Sequence, residues 1–126
     1  MSNPYYHLKH FKPIEFDSPD EFYSGLKMSL DFLTMLDEAR EIAGIPFKIN
    51  SGYRTTKHNK AIGGSPTSSH MKGLAVDLSY KNNLEALKIV AALTDVGCYR
   101  IGISSNFIHC DNDVEKTWPA YWTYDE

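Results

Sequence analysis

Three side chains far apart in the chain, His70, Asp77 and His109, have the types and the spacing to hold a divalent ion. The first two stand in SSHMKGLAVD (residues 68–77) and the third in FIHCD (residues 107–111). Two imidazoles and one carboxylate can fill three positions around Zn²⁺ and leave a fourth for water or substrate, which is the plan of a catalytic zinc site. A structural zinc site is closed by four protein ligands rich in cysteine, and this chain has only two cysteines. The residues therefore point to metal-assisted hydrolysis, with Zn²⁺ as the expected cofactor.

Such chemistry also needs a base for the water and a cation for the developing oxyanion. Arg54, in SGYR (residues 51–54), is the candidate cation because its permanently charged planar fork suits an oxyanion or a terminal carboxylate. Asp111 lies two residues after His109 and shares its face along a strand. It is the candidate either to orient a ligand imidazole or to contact the water. His7 and His10 are expected on the surface, and His58 near the cleft without a catalytic role. Cys98 and Cys110 read as small buried apolar groups; Cys110 follows His109 directly and should point to the opposite face.

The elements that would position these residues are legible as an α+β pattern. Ser18, Pro19 and Glu21 form a capping box that opens a helix. Phe22, Leu26, Leu33, Leu36 and Ile42 continue it at helical spacing, widened by Phe32, Met35 and Ala39, and Gly44 ends it. Phe47 to Asn50 reads as a short strand and residues 51–72 as loop. Leu74, Val76 and Leu78 alternate with Ala75, Asp77 and Ser79, predicting a strand with one face on the core. Asn82 and Glu85 cap a second helix whose apolar stripe is Leu84, Leu87, Val90, Ala91 and Val96, ended by Gly97. Residues 99–104 and 107–111 form a hairpin around Ser105 and Asn106. The tail, with Trp118 and Trp122, closes the cleft or the core.

The 126 residues fit one domain, 1–126, in which 1–17 is expected to wrap the rest as an N-terminal arm. A net charge of −3 and the lack of a basic run argue against a nucleic-acid partner. The first ten residues have no apolar core of a signal peptide, and no later segment is long enough to span a membrane. The chain is thus expected to be made in the cytoplasm, to have no membrane partner and to be a monomer.

Taken together, SGYRTTKHN (51–59), AIGG (61–64), SSHMKGLAVD (68–77), RIGI (100–103) and FIHCD (107–111) resemble, in order and spacing, the M15 family of zinc peptidases. That family comprises D,D-carboxypeptidases and L,D- or D,D-endopeptidases of bacterial peptidoglycan, many of them phage-encoded. The likeness spans residues 11–124. It implies the Hedgehog/D,D-peptidase fold, a small antiparallel sheet with helices packed on it and zinc in a cleft. It also implies His70, Asp77 and His109 as the zinc ligands, Arg54 on the substrate or transition state, and Ser68 in contact with the peptide. The implied partner is peptidoglycan peptide, reached at the wall or periplasm by phage-type release.

The chain departs from the resemblance at Asn106, where several members carry an acidic base three positions before the last histidine. An amide cannot take a proton at neutral pH. Either Asp111 or Asp113 then assists the water, or hydrolysis proceeds with little help, or it has been lost. General-base assistance is typically worth 10²–10⁴-fold, so its absence slows turnover without forbidding it. A non-catalytic, zinc-containing wall-binding module is the alternative from another class, and a metal-free structural protein of a virus particle is a third.

Overall fold

The longest helix, α1 (Leu30–Ala43), is capped by Ser29, whose hydroxyl accepts from the Phe32 amide, and ends at Gly44 in the left-handed region. The expected start at Ser18 is therefore corrected. Asp17 wins the competition for this segment, its carboxylate accepting from the amides of Tyr23 (3.1 Å) and Gly25 (2.8 Å). Ser18 is drawn away as well, donating to Asp20 and accepting from the Thr55 amide. A Cβ on Gly25 would stand 2.1 Å from the Pro13 carbonyl, so the close approach that sets this turn requires glycine. Phe22, placed on the apolar stripe by spacing, is 83% exposed, and Ile42 is exposed too. Phe32, Leu33, Leu36 and Ala39 carry the buried face.

This computed structural model describes residue 5 and residues 7–124. Parts of the expected arm, residues 1–4 and 6, lie outside the described residues. In the rest of it Tyr5, Phe11 and Phe16 are buried in the core, and Pro13–Phe16 form a 3₁₀ turn. Among the described residues, five strands form one sheet: β1 (Lys48–Ser51), β2 (Ala75–Ser79), β3 (Arg100–Ile103), β4 (Phe107–Asp111) and β5 (Ala120–Thr123), in the order β1-β2-β4-β3-β5. The α+β fold with a small sheet is as expected, and three of the four strand pairings are antiparallel and one parallel. β5 runs parallel to β3, because residues 112–119 carry the chain back across the sheet end instead of turning in a hairpin. Two short elements also interrupt the stretch read as loop: α2 (Thr56–Ala61), capped by Thr55, and a 3₁₀ turn at Ser69–Lys72, capped by Ser68.

Helix α3 (Asn83–Asp95) begins at the predicted Asn82 cap, but its buried face is rotated from the predicted stripe. Ile89, Ala92 and Leu93 are buried, whereas Leu84 and Leu87 are largely exposed. Both long helices meet each other, and α3 packs on β4. The core-facing residues of the central strands, Val76, Leu78, Ile108, Cys110 and Ile101, join Phe32, Leu33 and Leu93 in one apolar cluster. Val76 and Leu78 put one face of β2 on the core as expected. Its other face is buried too, at Ala75 and Asp77, and lies under a cleft.

Candidate metal centre

One transverse row of the sheet carries the site. Ser51 of β1 pairs with Asp77 of β2, Asp77 with His109 of β4, His109 with Gly102 of β3, and Gly102 with Trp122 of β5. Because side chains alternate along each strand, the members of this row project from the sheet face opposite the helix-packed core. A β-bulge between Ile49 and Ser51 brings Ser51 into line. Gly102 is bare for a reason: a Cβ there would meet the Trp122 indole at 2.4 Å. The absent side chain lets Trp122 lean over β3, its ring centroid 5.5 Å from that of His109.

His70 reaches the row from the 3₁₀ turn, held by two contacts. The Ser68 hydroxyl accepts from its amide (3.2 Å), and its Nδ1 donates to the Gly52 carbonyl (2.8 Å). Since a carbonyl only accepts, Nδ1 carries the proton and Nε2 presents its lone pair to the cluster, 3.4 Å from Asp77 Oδ1. His109 lies between two carboxylates, its Nε2 2.8 Å from Asp111 Oδ2 and its Nδ1 2.8 Å from Asp77 Oδ1. With Asp111 accepting from Nε2, Nδ1 is the nitrogen turned to the cluster. His70, Asp77 and His109 are all buried, and one donor atom from each lies within 4.8 Å of the others. Two nitrogens and one oxygen, each imidazole oriented by a hydrogen bond at its far nitrogen, form a donor set that suits zinc.

The electrostatics follow from the same contacts. Burial opposes ionisation of Asp77, but His109 and His70 beside its carboxylate prevail and hold its pKa well below the usual carboxylate range. Burial likewise disfavours a charged His109, yet Asp111 and Asp77 together raise its pKa. Asp111 is desolvated too, and His109 and Arg100 lower its pKa in spite of this. It accepts from Arg100 Nε at 2.7 Å and from the Asp113 amide at 3.1 Å.

The cleft above the cluster has a volume of about 330 Å³, and Arg54, Ser68, Lys116, Phe107, Trp122 and Tyr124 are among its walls. Arg54 is mostly buried, with NH2 3.6 Å from Asp77 Oδ2, Nε donating to Ser51 Oγ and NH1 to Asn59 Oδ1. Asn106 is elsewhere. It sits in the β3–β4 turn and lines a separate hollow with Lys48 and Tyr80. Asp113 accepts from Ser69 (2.8 Å) and Lys72 (2.9 Å) and does not line the cleft. His10 pairs with Glu41 on the surface, and neither His7 nor His58 lines the cleft. Cys98 and Cys110 are buried free thiols.

Arg100, Asn59 and Tyr124 are site residues that the sequence did not single out, and Trp122, expected to close the cleft or the core, lines the cleft. Arg100 and Asn59 stand inside segments already quoted, and alternation along β3 places Arg100 on the His109 face; for Tyr124 no sequence signal exists.

An α+β domain whose sheet carries an open cluster of nitrogen and oxygen donors has the form of a catalytic and not a structural metal protein. The family follows from the sequence match: the model described as Peptidase M15 covers residues 9–111. The chain belongs to the M15 peptidase family. No curated protein matches it.

Proposed function

We propose that this protein is a zinc-dependent peptidase that hydrolyses peptide bonds in the stem or cross-link of bacterial peptidoglycan, as a D,D-carboxypeptidase or an L,D/D,D-endopeptidase. The observation that carries the reading is the convergence of His70, Asp77 and His109 beneath a cleft that also holds Arg54. His70 Nε2, His109 Nδ1 and an Asp77 carboxylate oxygen would hold the ion. When bound, zinc supplies a Lewis acid and an activated water at neutral pH.

The chain's own groups supply the rest. Arg54 is braced by Ser51 and Asn59, so its fork is already oriented when a substrate oxygen arrives. Ser68 caps the turn bearing His70 while lining the cleft, which supports a contact with the bound peptide. Asp111 acts through His109: three of its roughly four acceptor sites are taken by His109, Arg100 and the Asp113 amide, so it orients the imidazole and is poorly placed to collect a proton. Asp111→Asn is expected to weaken zinc affinity about 10–100-fold, measured by competition with a chelating dye; unchanged affinity would show that Asp111 does not orient the ligand. Arg54→Ala should lower kcat/KM on a soluble stem peptide by about 10²-fold. Arg54→Lys should recover little of that, because an ammonium cannot reproduce the braced fork.

A second reading is favoured by one observation. Among the described residues, Asp77 and Asp111 are the carboxylates lining the cleft, and both are engaged. A non-catalytic wall-binding module would look the same. Digestion of purified Gram-negative and Gram-positive walls by zinc-loaded protein, with fragments identified by mass spectrometry, separates the two. Peptidase action predicts new termini that disappear on chelation; intact muropeptides from both walls, with protein retained on them, would establish the module instead.

A further inference from the structure

Beyond the Arg100–Asp111 ion pair from the metal cleft lies a second hollow, of about 180 Å³, that the proposed chemistry leaves unused. Cys98, Tyr99, Asn112 and Trp118 are among its walls, and Arg100 and Asp111 belong to both it and the cleft. Tyr99 and Trp118 stack with ring centroids 6.0 Å apart and planes 20° from parallel, yet they are 47% and 58% exposed. Tyr121, 67% exposed, extends the apolar surface through the adjoining hollow, where Tyr99 and Cys98 recur. Exposed aromatic faces that adjoin one another around a hollow make a candidate binding surface.

Two features restrict what fits there. First, the hollow offers no uncompensated carboxylate, because Arg100 neutralises Asp111 at 2.7 Å and Lys72 neutralises Asp113 at 2.9 Å. Second, Asn112 adds a neutral polar side chain to the wall. A neutral ring with apolar faces and hydrogen-bonding groups at its rim meets both conditions. Sugar rings have that form: their slightly positive C–H groups meet the negative face of an indole, and their hydroxyl edges can pair with an amide side chain.

We propose that Tyr99, Trp118 and Asn112 form a saccharide subsite that seats a sugar ring of the glycan strand while the peptide borne by that strand enters the metal cleft. The proposal rests on the peptidoglycan reading and adds the glycan as a second point of recognition. Continuity favours this occupant, since a single ion pair separates the hollow from the cleft. A second copy of this chain is the competing occupant. A standard interface buries about 800 Å² on each partner, whereas the hollow has room for one ring.

Peptide-free glycan strands, prepared by stripping purified wall with an amidase, and a soluble N-acetylglucosamine tetramer are the probes. Binding is followed by co-sedimentation for the strands and by tryptophan fluorescence for the tetramer. The wild-type protein should bind both. Trp118→Ala should weaken binding about tenfold or more, Trp118→Tyr should retain most of it, and Asn112→Ala should lose severalfold. Cleavage of a short soluble stem peptide by Trp118→Ala should stay within about twofold of wild type while cleavage of whole wall falls. Trp118 is exposed, so Trp118→Ala should fold; should its melting show otherwise, Tyr99→Ala and Trp118→Tyr carry the comparison. If the peptidase reading alone is wrong, no peptide is cut but the Trp118-dependent glycan binding persists. The subsite is overturned if neither probe binds, if Trp118→Ala binds as wild type does, or if sedimentation shows a dimer that Trp118→Ala dissolves.

Discussion

His109→Ala is expected to yield a protein that retains no stoichiometric zinc and releases no peptide fragments from cell wall. The imidazole is central to the cluster: Nδ1 faces Asp77, Nε2 donates to Asp111, and its ring lies between those of His70 and Trp122. Removing it takes away one of three donors, and it leaves two buried carboxylates with fewer partners. Arg54 and Arg100 still compensate them in part. Even so, breaking one side of a buried ion-paired network costs roughly 3 kcal/mol, a fall in melting temperature on the order of 10 °C. Metal analysis, wall digestion and a thermal melt read the three consequences separately. A variant that kept one zinc per chain and full activity would remove His109 from the ligand set and the proposed chemistry with it.

The same cluster shows which kinds of information the sequence carries. Asp77 and His109 were readable together because strand alternation puts each on a definite face, and β2 pairs with β4 so that the two stand opposite one another. His70 needed more than periodicity, since its place depends on a 3₁₀ turn and a hydrogen bond to Gly52 across the fold. The hairpin of β3 and β4 and the caps at Asn82 and Gly44 are local signals, and they hold. The start of α1 failed because two capping signals compete, at Ser18 and at Ser29. A local contact of Ser18 with Asp20 and a tertiary one with Thr55 decide between them. The parallel seat of β5 was hidden for a related reason. Pairing between β3 and β5 is set by the course of residues 112–119, which no short-range pattern encodes. Between the cleft and the core, the two places open to Trp122, the choice rests on Gly102, whose missing side chain makes room for the indole.

Positioning in this protein therefore depends as much on missing side chains as on present ones. Gly102 admits Trp122 beside His109, and Gly52 admits Phe16 at a distance where a Cβ would stand 2.7 Å from the Phe16 Cα. That second approach ties the N-terminal segment to the site, because Tyr53 donates to the Phe16 carbonyl while Gly52 accepts from His70. Core and cleft are consequently not independent layers. The contacts that bury the aromatic residues near the N-terminus also hold the loop that orients the first histidine.

Gly73→Ala should be strongly damaging, and the comparison with Gly63→Ala isolates the reason. Both glycines have φ near +70°, so alanine at either position carries the strain of the left-handed region. At Gly63 nothing lies within 4 Å of the added Cβ, and the cost is expected to be about 1 kcal/mol. At Gly73 the Cβ would lie 2.4 Å from the Lys27 carbonyl oxygen and 3.0 Å from the Met28 Cα, both backbone atoms that cannot rotate away. The chain must shift there, adding on the order of 2–3 kcal/mol. The shift also strikes the site, since Gly73 closes the turn bearing His70, begins the approach to Asp77, and accepts from the amide of the α1 cap Ser29. Gly73→Ala is thus expected to melt roughly 10 °C lower and to bind zinc at least tenfold more weakly, while Gly63→Ala keeps wild-type affinity. Equal melting temperatures for the two variants would show that the Lys27–Gly73 contact yields without cost, and that the spacing of His70 and Asp77 does not depend on it.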